Sequence, residues 1–393
     1  MQTPPLLPLL PHLCVAATAA LMLSACQSTV PLTSAAATHG ATAASVLAQT
    51  PILRQDAFHN VYEVTASADG TSVFVAAIHS FDAQNAGFVH RLDAQTLAIQ
   101  QTIQVPRRAF ALGLNRQTQT LYVGNTMEGS LSVVDARSGM VQGVIQLAQP
   151  VQNARGEESM PHTRKIIVDE QRNRVFVTSP GQPGLIWIVD GATRSLTHTI
   201  TSDGIWTAGA AYDASTNRLY VSQGGVHEIL AIDPESGTIV QRFSTGDSKG
   251  NTGDESRHFF INLAIDTANQ RLFATDANSS QLYVADIATG QFVQHVPIGG
   301  EGALDVLYNP ARHEIVTTHR GVSRENPHGS GGVTVFDAAT LHIKQTFDLP
   351  VHPNSLAISA DGQTLYVTVK APHSEQHPAY RKDGKDSVAR FRF

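Results

Sequence analysis

Residues 352–370, HPNSLAISADGQTLYVTVK, decide the fold of this chain. Two apolar runs, 355–359 and 364–369, flank the turn signal Ala-Asp-Gly-Gln at 360–363. Both runs have the length of a strand rather than a helix, and they are rich in β-branched and aromatic residues. The glycine of the turn reaches positive φ without steric cost. The stretch therefore predicts two antiparallel strands joined by a tight turn.

The same strand pair recurs along most of the chain. Its second strand, typified by Leu-Tyr-Val, appears seven times at intervals of 43 to 54 residues. The seven copies begin at Val73, Leu121, Val175, Leu219, Leu272, Ile315 and Leu365. A third strand ends in aspartate in six copies, where Asp-x-x-Ser/Thr leads into a fourth strand. These aspartates, which can accept backbone N–H bonds inside the turn, are Asp93, Asp135, Asp190, Asp233, Asp286 and Asp337.

Four strands per repeat and seven repeats predict an all-β chain, a seven-bladed β-propeller of four-stranded antiparallel blades. The seventh repeat is incomplete, because only residues 387–393 remain for its third strand. We expect residues 52–57 to supply its missing outer strand. An N-terminal strand in the last blade closes the ring and removes free sheet edges. The propeller domain then covers residues 51–393.

The N-terminal segment carries signals of export. Residues 13–23 form an apolar run of signal-peptide length, which is too short to cross a bilayer comfortably. Leu-Ser-Ala-Cys at 23–26 resembles a bacterial lipobox, so residues 1–25 are predicted to be a lipoprotein signal peptide and Cys26 the lipidated residue. An ordinary signal peptide with a chance cysteine, or an N-terminal membrane anchor, are the alternatives.

The predicted lipid anchor sets the expected location and the cysteine chemistry. Residues 26–50 are rich in Ala, Ser and Thr without periodicity, which is typical of a flexible tether. We expect the protein on the periplasmic side of the bacterial envelope, and Gln27 after the cysteine favours the outer membrane in a Gram-negative host. With Cys14 removed and Cys26 lipidated, the mature domain has no thiolate or disulfide chemistry.

Loop lengths predict which face of the propeller binds. The five long loops, at 79–86, 149–163, 245–257, 321–332 and 371–386, join second to third strands or adjacent blades, whose connections share one face. Long loops on a rigid scaffold are common binding sites. The candidate ligand-binding residues at this channel mouth are Tyr62, Asn125, Arg164, Trp206, His258, Asn262, His319, Arg320, His352, Asn354 and Lys370. Each could instead bond backbone groups and hold a loop in place.

Catalytic and cofactor motifs are not recognisable in the sequence. His258, His319 and His352 come from three blades and could meet at a metal, but they lack a local ligand spacing. The Gly-rich loop 245–255 lacks the Gly-Lys-Ser/Thr of a phosphate-binding loop. We therefore expect no catalytic residue, no metal and no cofactor. The net charge of -6 and the interspersed loop charges give no basic stripe for nucleic acid.

The repeats resemble those of the YVTN β-propeller family, and a periplasmic seven-bladed member of that family in particular. The resemblance covers essentially residues 51–393 and is carried by residues 119–126, 186–191, 258–262 (HFFIN), 309–312 (NPAR), 318–320 (THR) and 352–357 (HPNSLA). It implies a periplasmic propeller and single-stranded DNA binding. This chain departs from the pattern in its lipobox, its insertion 321–332 and its long loop 371–386.

Three functions remain open at this point. The first is a non-catalytic binding or scaffold propeller that is attached to the membrane through Cys26 and takes an unknown small molecule or an envelope protein. The second is a single-stranded DNA-binding propeller, which follows from the resemblance. The third is a propeller enzyme, a lactonase or a metal-dependent oxidoreductase, because one fold hosts many functions. We expect a monomer in each case.

Overall fold

The computed structural model describes residues 52–152, 156, 158–323 and 325–393, in which every regular element is a β-strand. These ranges contain no helix that is long and apolar enough to cross a membrane. The predicted signal peptide 1–25, the tether 26–50 and Cys26 lie outside the described residues and stay predictions.

The described residues form seven four-stranded antiparallel sheets, the blades, and one short hairpin. Strand β1 (Leu53–Phe58) precedes the first blade. Blade 1 contains β2 (Val61–Ala66), β3 (Ser72–Ile78), β4 (Gly87–Asp93) and β5 (Ile99–Val105). Blade 2 contains β6 (Ala109–Asn115), β7 (Thr120–Asn125), β8 (Ser130–Asp135) and β9 (Val141–Gln146). The hairpin of β10 (Val151–Gln152) and β11 (Glu158–Ser159) follows.

The other five blades follow the same order. Blade 3 contains β12 (Ile166–Asp169), β13 (Arg174–Ser179), β14 (Leu185–Asp190) and β15 (Ser195–Thr201). Blade 4 contains β16 (Ala210–Asp213), β17 (Arg218–Ser222), β18 (Ile229–Asp233) and β19 (Thr238–Phe243). Blade 5 contains β20 (Phe260–Asp266), β21 (Arg271–Asp276), β22 (Gln281–Asp286) and β23 (Gln291–Pro297). Blade 6 contains β24 (Ala303–Asn309), β25 (Glu314–His319), β26 (Gly331–Asp337) and β27 (Ile343–Leu349). Blade 7 contains β28 (Pro353–Ile358), β29 (Thr364–Val369) and β30 (Asp386–Arg392).

Blade 7 is completed by the N-terminal strand. Strand β1 pairs antiparallel with β30, with Leu53 opposite Arg390 and Gln55 opposite Val388. The first strand of every blade contacts the first strands of both neighbouring blades, so these seven strands line the central channel. The predicted seven-bladed propeller and its closure by an N-terminal strand are therefore confirmed.

The aspartate turns form as the repeat predicts. In the first of them the Asp93 carboxylate accepts the backbone N–H of Thr96 at 2.8 Å and its hydroxyl at 2.9 Å. Glycine takes the left-handed position in some copies, such as Gly139 with φ +75°, but Leu97 takes it with φ +60°. The bonds to aspartate hold the turn well enough for a non-glycine residue to adopt this conformation.

A hydroxyl on each of four second strands fixes the start of the neighbouring first strand. The hydroxyl belongs to the Ser or Thr that directly follows the Leu-Tyr-Val triplet of the second strand. It accepts a hydrogen bond from a backbone N–H at the start of the first strand of the same blade. The pairs are Thr178 with Lys165 at 3.1 Å, Ser222 with Gly209 at 2.8 Å, Thr318 with Asp305 at 2.9 Å, and Thr368 with Ser355 at 3.1 Å. Two of these four first strands, β24 and β28, have an irregular register at this point, and in the other two the N–H belongs to the residue before the first paired position. The hydroxyl pairs an N–H that the regular ladder does not reach.

The neighbouring residues Thr317 and Thr318 of β25 test this role. Both are fully buried, but only the Thr318 hydroxyl has a partner among the described residues. We expect Thr318→Val to lower the free energy of unfolding by about 1–3 kcal/mol, because it leaves the Asp305 N–H unpaired. Thr317→Val should leave it unchanged or raise it, because it removes an unpaired buried hydroxyl. Urea denaturation measures both, and equal losses in the two variants would contradict the assignment.

Candidate functional site at the channel mouth

The five long loops lie on one face of the propeller, which we call the mouth face. Each joins a second to a third strand or one blade to the next, and antiparallel order brings these connections to the same side. Seven equivalent residues, each directly before an apolar residue of a first strand, form a ring beneath this face. The ring consists of Glu63, Ala111, Lys165, Gly209, Asn262, Asp305 and Ser355.

An ion pair crosses this ring. The Lys165 ammonium lies 3.1 Å from Oε1 of Glu63, and the Arg164 guanidinium lies 3.6 Å from the same oxygen. Burial alone would lower the pKa of Lys165, but the Glu63 and Asp305 carboxylates outweigh burial and raise it. Lys165 is therefore held as a cation between blades 1, 3 and 6.

The other polar groups of the ring join adjacent blades. Glu63 Oε2 accepts the backbone N–H of Leu112 in the next blade at 3.0 Å. Asp305 Oδ2 accepts that of Leu356 at 2.8 Å. These carboxylates therefore bond the backbone of the neighbouring blade.

Two of the predicted site residues act in the same way. Asn262 donates to the Leu304 carbonyl at 2.9 Å, and Asn354 donates to the Tyr62 carbonyl at 3.2 Å. Both bonds cross from one blade to the next. Their contact with a ligand stays a prediction.

Three other predicted residues are brought side by side by a ladder of backbone bonds. Arg320 donates its N–H to the Gly302 carbonyl at 2.8 Å, His352 donates to Arg320 at 3.0 Å, and Lys370 donates to His352 at 3.1 Å. The Lys370 ammonium lies 3.7 Å from the centre of the Tyr62 ring and 3.4 Å from Oδ2 of Asp386. This short distance to the ring is a cation–π contact.

The contacts continue from Tyr62 to Arg164. The Tyr62 and Phe110 ring centres are 4.4 Å apart, and the Arg164 guanidinium lies 5.4 Å from the Phe110 centre. Backbone bonds and ring contacts thus bring side chains of blades 6, 7, 1 and 2 and of the start of blade 3 next to one another. We call this set the cationic arc, which consists of Arg320, His352, Lys370, Tyr62, Phe110 and Arg164.

Burial changes the charge states along the arc. It lowers the pKa of His352 to about 4, with help from Arg320 and Lys370, so this imidazole is neutral at pH 7. It lowers the pKa of Lys370 to about 8 against the opposing effect of Asp386. It raises the pKa of Tyr62 to about 12. Arg320 has a buried Nε without a partner and forms no ion pair with any residue that the structure describes.

A cavity of about 180 Å³ opens beside His352. It lies between two of the long loops, 321–332 and 371–386. Its lining is mostly apolar, with Val322, Pro327, Val351 and Pro372 beside His352, His373 and His377. The two segments are joined by His377, whose Nε2 donates to the Gly329 carbonyl at 3.0 Å.

Two further predicted residues form a second group, between blades 4 and 5. His258 bonds Asp276 and Asp247 through its two ring nitrogens, each at 2.8 Å. Burial opposes protonation of His258, but the two carboxylates outweigh burial and raise its pKa. Trp206 is 50% exposed and has a positive φ of +62°. Its ring meets that of Phe259 edge to face, with the two ring centres 6.3 Å apart.

The last two predicted residues lie at the ends of second strands. Asn125 is fully buried, and its Oδ1 accepts the hydroxyls of Ser130 at 3.1 Å and Ser132 at 3.0 Å. The His319 ring packs closely on Gly300, and a side chain at position 300 would collide with this ring. Burial lowers the pKa of His319. His319 is the chain neighbour of Arg320, but no side-chain hydrogen bond, ion pair or ring contact among the described residues joins His319 or Asn125 to the cationic arc.

Several side chains of the site were not among the residues predicted from the sequence. Glu63 and Asp305 carried a usable signal, because each is an ionisable residue at the same repeat position in an otherwise apolar first strand. Phe110 resembled a core residue. Asp386 gave no signal, because it lies in a loop-to-strand junction more than three hundred residues from its partner Val61.

The chain is similar in sequence to proteins named YncE. YncE of Salmonella typhi, named as an uncharacterized protein, is 36% identical over 346 residues, which cover 88% of this chain and 92% of that protein. YncE of Escherichia coli strain K12, named in the same way, is 35% identical with the same coverage. No protein-family profile matches the chain.

Solved structures share the fold at low identity. The WD40 repeats of RRP9 superpose with a TM-score of 0.63 at 10% identity, over 88% of this chain and 98% of that one. The structure of U3-55K superposes with the same score and identity, over 88% and 99%. This likeness concerns the propeller architecture alone.

The lowered pKa of Lys370 makes stability depend on pH. The unfolded chain keeps the Lys370 proton up to about pH 10.4, whereas the folded chain loses it at about pH 8. Between these values the unfolded state binds more protons, so the free energy of unfolding rises with pH. Between about pH 8 and about pH 10.4, we expect the free energy of unfolding of wild type to rise by on the order of 2–3 kcal/mol relative to that of Lys370→Met. Below about pH 8 we expect no such rise.

Urea denaturation at about pH 7 and about pH 10 measures the difference. Lys382→Met is the matched control, because Lys382 is exposed in the same loop. A difference for Lys370→Met that does not change with pH would contradict the assignment, and so would an equal rise for Lys382→Met.

Proposed function

The chain belongs to the YncE family, as its repeats predicted, and we propose that it is a non-catalytic binding propeller of the cell envelope. Its site is the cationic arc on the mouth face, and its ligand is a small organic anion with an apolar part. The observation that carries the proposal is the half-buried Arg320 guanidinium, which has no anionic partner among the described residues. Buried charges are normally paired, so an anion is the expected complement.

The shape of the site supports an amphipathic ligand. The cavity of about 180 Å³ adjoins His352 and offers mostly apolar lining. His352 is neutral at pH 7, so it can donate or accept a hydrogen bond without adding charge. A carboxylate or phosphate near Arg320 and Lys370 could place an apolar tail in this cavity.

The use of the carboxylates supports binding rather than catalysis. Glu63 and Asp305 each accept a backbone N–H of the next blade, and Asp386 accepts those of Val61 at 2.8 Å and Ala371 at 2.7 Å. A general acid or base must be free to exchange a proton with a substrate. These three groups instead serve the connections between blades and loops.

The envelope location rests on the N-terminal sequence. The lipobox ending at Cys26 and the tether 26–50 support a propeller attached to the membrane by lipid. A tether of this composition lets the mouth face sample soluble ligands or an envelope protein.

Single-stranded DNA binding is the second candidate, and Trp206 favours it. Its half-exposed ring stands on the mouth face in a strained backbone conformation, next to Phe259. Exposed aromatic rings stack on bases, and the cations of the arc could contact phosphates. In this case affinity would fall steeply with salt, because phosphate contacts release counterions.

Octanoate, which has a carboxylate and an apolar chain, is a suitable probe of the first candidate. Citrate, which lacks the apolar chain, and octanol, which lacks the charge, separate the two contributions to affinity. We expect octanoate to bind the wild-type protein and Arg320→Gln to weaken it roughly 10- to 100-fold, because a charge-assisted bond is lost. Affinity should also fall as pH rises through about 8, because Lys370 loses its charge. Isothermal titration calorimetry measures both effects.

Arg381→Gln is the matched control and should leave octanoate affinity unchanged, because Arg381 is exposed in the loop 371–386 and does not line the cavity beside His352. Equal binding by wild type and Arg320→Gln would contradict the anion site. Salt-sensitive binding of a dT oligonucleotide that is lost in Trp206→Ala would favour the second candidate. Turnover of a substrate that Arg320→Gln abolishes would contradict the non-catalytic assignment.

The lipid anchor has its own test. In a Gram-negative host fed an alkyne-tagged fatty acid, we expect label on the wild-type protein and none on Cys26→Ser, because the thiol is the acylated group. Fractionation should place the labelled protein with membranes. Equal labelling of Cys26→Ser would contradict lipidation at this residue, and Cys14→Ser serves as the control.

A further inference from the structure

Three potential metal ligands meet on the mouth face between blades 4 and 5. Glu228 directly precedes β18, Asp247 lies in the loop 245–257, and His258 directly precedes Phe259 and β20. One donor atom from each residue lies within 4.8 Å of those of the other two. Small closing movements of these side chains would bring the donors to the distances found around a bound metal ion.

The imidazole of His258 is already oriented. Its Nδ1 bonds Oδ2 of Asp276 at 2.8 Å, and Nε2 points toward Asp247. Asp276 is itself held by the backbone N–H of Phe259 at 2.9 Å and the hydroxyl of Ser279 at 2.6 Å. A carboxylate on one ring nitrogen with the other nitrogen directed at further ligands is the usual arrangement of a metal-binding histidine.

Glu228 is a second indication of a cation. Its side chain is fully buried, and its two oxygens accept the N–H and the hydroxyl of Thr245, both at 2.9 Å. No lysine or arginine of the described residues forms an ion pair with it. The cluster sets the carboxylates of Glu228, Asp247 and Asp276 against a single imidazole. Two of these carboxylates, those of Glu228 and Asp276, are buried, and three carboxylates around one imidazole leave a negative charge that a bound cation would balance.

Access and ligand type indicate which cation. The Asp247 side chain is 49% exposed, so an ion can enter from the loop, and a solvent position remains open. One imidazole nitrogen with carboxylate oxygens suits Zn²⁺, whereas Mg²⁺ and Ca²⁺ prefer oxygen ligands alone. We propose that Glu228, Asp247 and His258 bind a divalent transition-metal ion, Zn²⁺ in the first instance, with Asp276 orienting His258.

This site differs from the three-histidine metal site, His258 with His319 and His352, that was weighed from the sequence. Neither His319 nor His352 belongs to the cluster, and its ligands come from three separate segments without a motif spacing. The site shares no residue with the cationic arc. Loss of one site therefore does not imply loss of the other, and the two proposals can fail independently.

Titration calorimetry with ZnCl₂ on chelator-treated full propeller tests the proposal. We expect about one equivalent of Zn²⁺ to bind the wild-type protein, with tighter binding than Mg²⁺ or Ca²⁺. Asp247→Asn should weaken Zn²⁺ binding at least about ten-fold, because it removes a ligand. Asp276→Asn should weaken it roughly 10- to 100-fold, because it removes the partner that orients His258.

Asp254→Asn is the matched control, because Asp254 is an exposed carboxylate of the same loop outside the cluster. It should bind Zn²⁺ like wild type, and circular dichroism should show the same β-sheet content in all variants. Absence of saturable Zn²⁺ binding by wild type would overturn the proposal. Equal affinity of wild type and Asp247→Asn would overturn it as well, because the ion would then bind elsewhere.

Discussion

The bond between a second-strand hydroxyl and the start of the first strand is the interaction on which the mouth depends. Thr318 and its equivalents pair a backbone N–H that the regular ladder leaves open, at the point where the first strand turns into the channel. An unpaired buried N–H is costly, so this bond stabilises the start of the first strand, including the irregular register of β24 and β28. The residue whose N–H is held, Asp305 or Lys165 for example, is thereby placed in the ring beneath the mouth.

Polar groups at the mouth divide into two kinds according to the partners they find. Carboxylates and amides such as Glu63 and Asn262 bond the backbone of the neighbouring blade, because the channel supplies donors and acceptors in fixed positions. Guanidinium and ammonium groups have fewer such partners and gather on aromatic rings, as Lys370 does on Tyr62. Arg320 differs from the other cations because it has no anionic partner among the described residues, which is the physical basis for proposing an anionic ligand.

Two of the long loops build one wall of the site. The insertion 321–332 and the loop 371–386 meet through His377 and enclose the cavity beside His352. Loops on a propeller can change without disturbing the blades, because the inter-blade bonds lie beneath them. Such loop changes alter what a propeller binds and leave its architecture intact.

The sequence by itself determined the propeller, its seven blades, the N-terminal closure and the face that carries long loops, because these follow from strand period, turn residues and loop length. It also pointed to Arg320, His352 and Lys370 as residues of one face. Only the tertiary structure decided which side chains touch. Glu63 meets Lys165 across 102 positions, and Val61 meets Asp386 across 325. Such contacts depend on closing the ring, and no local pattern records which side chains closure brings together.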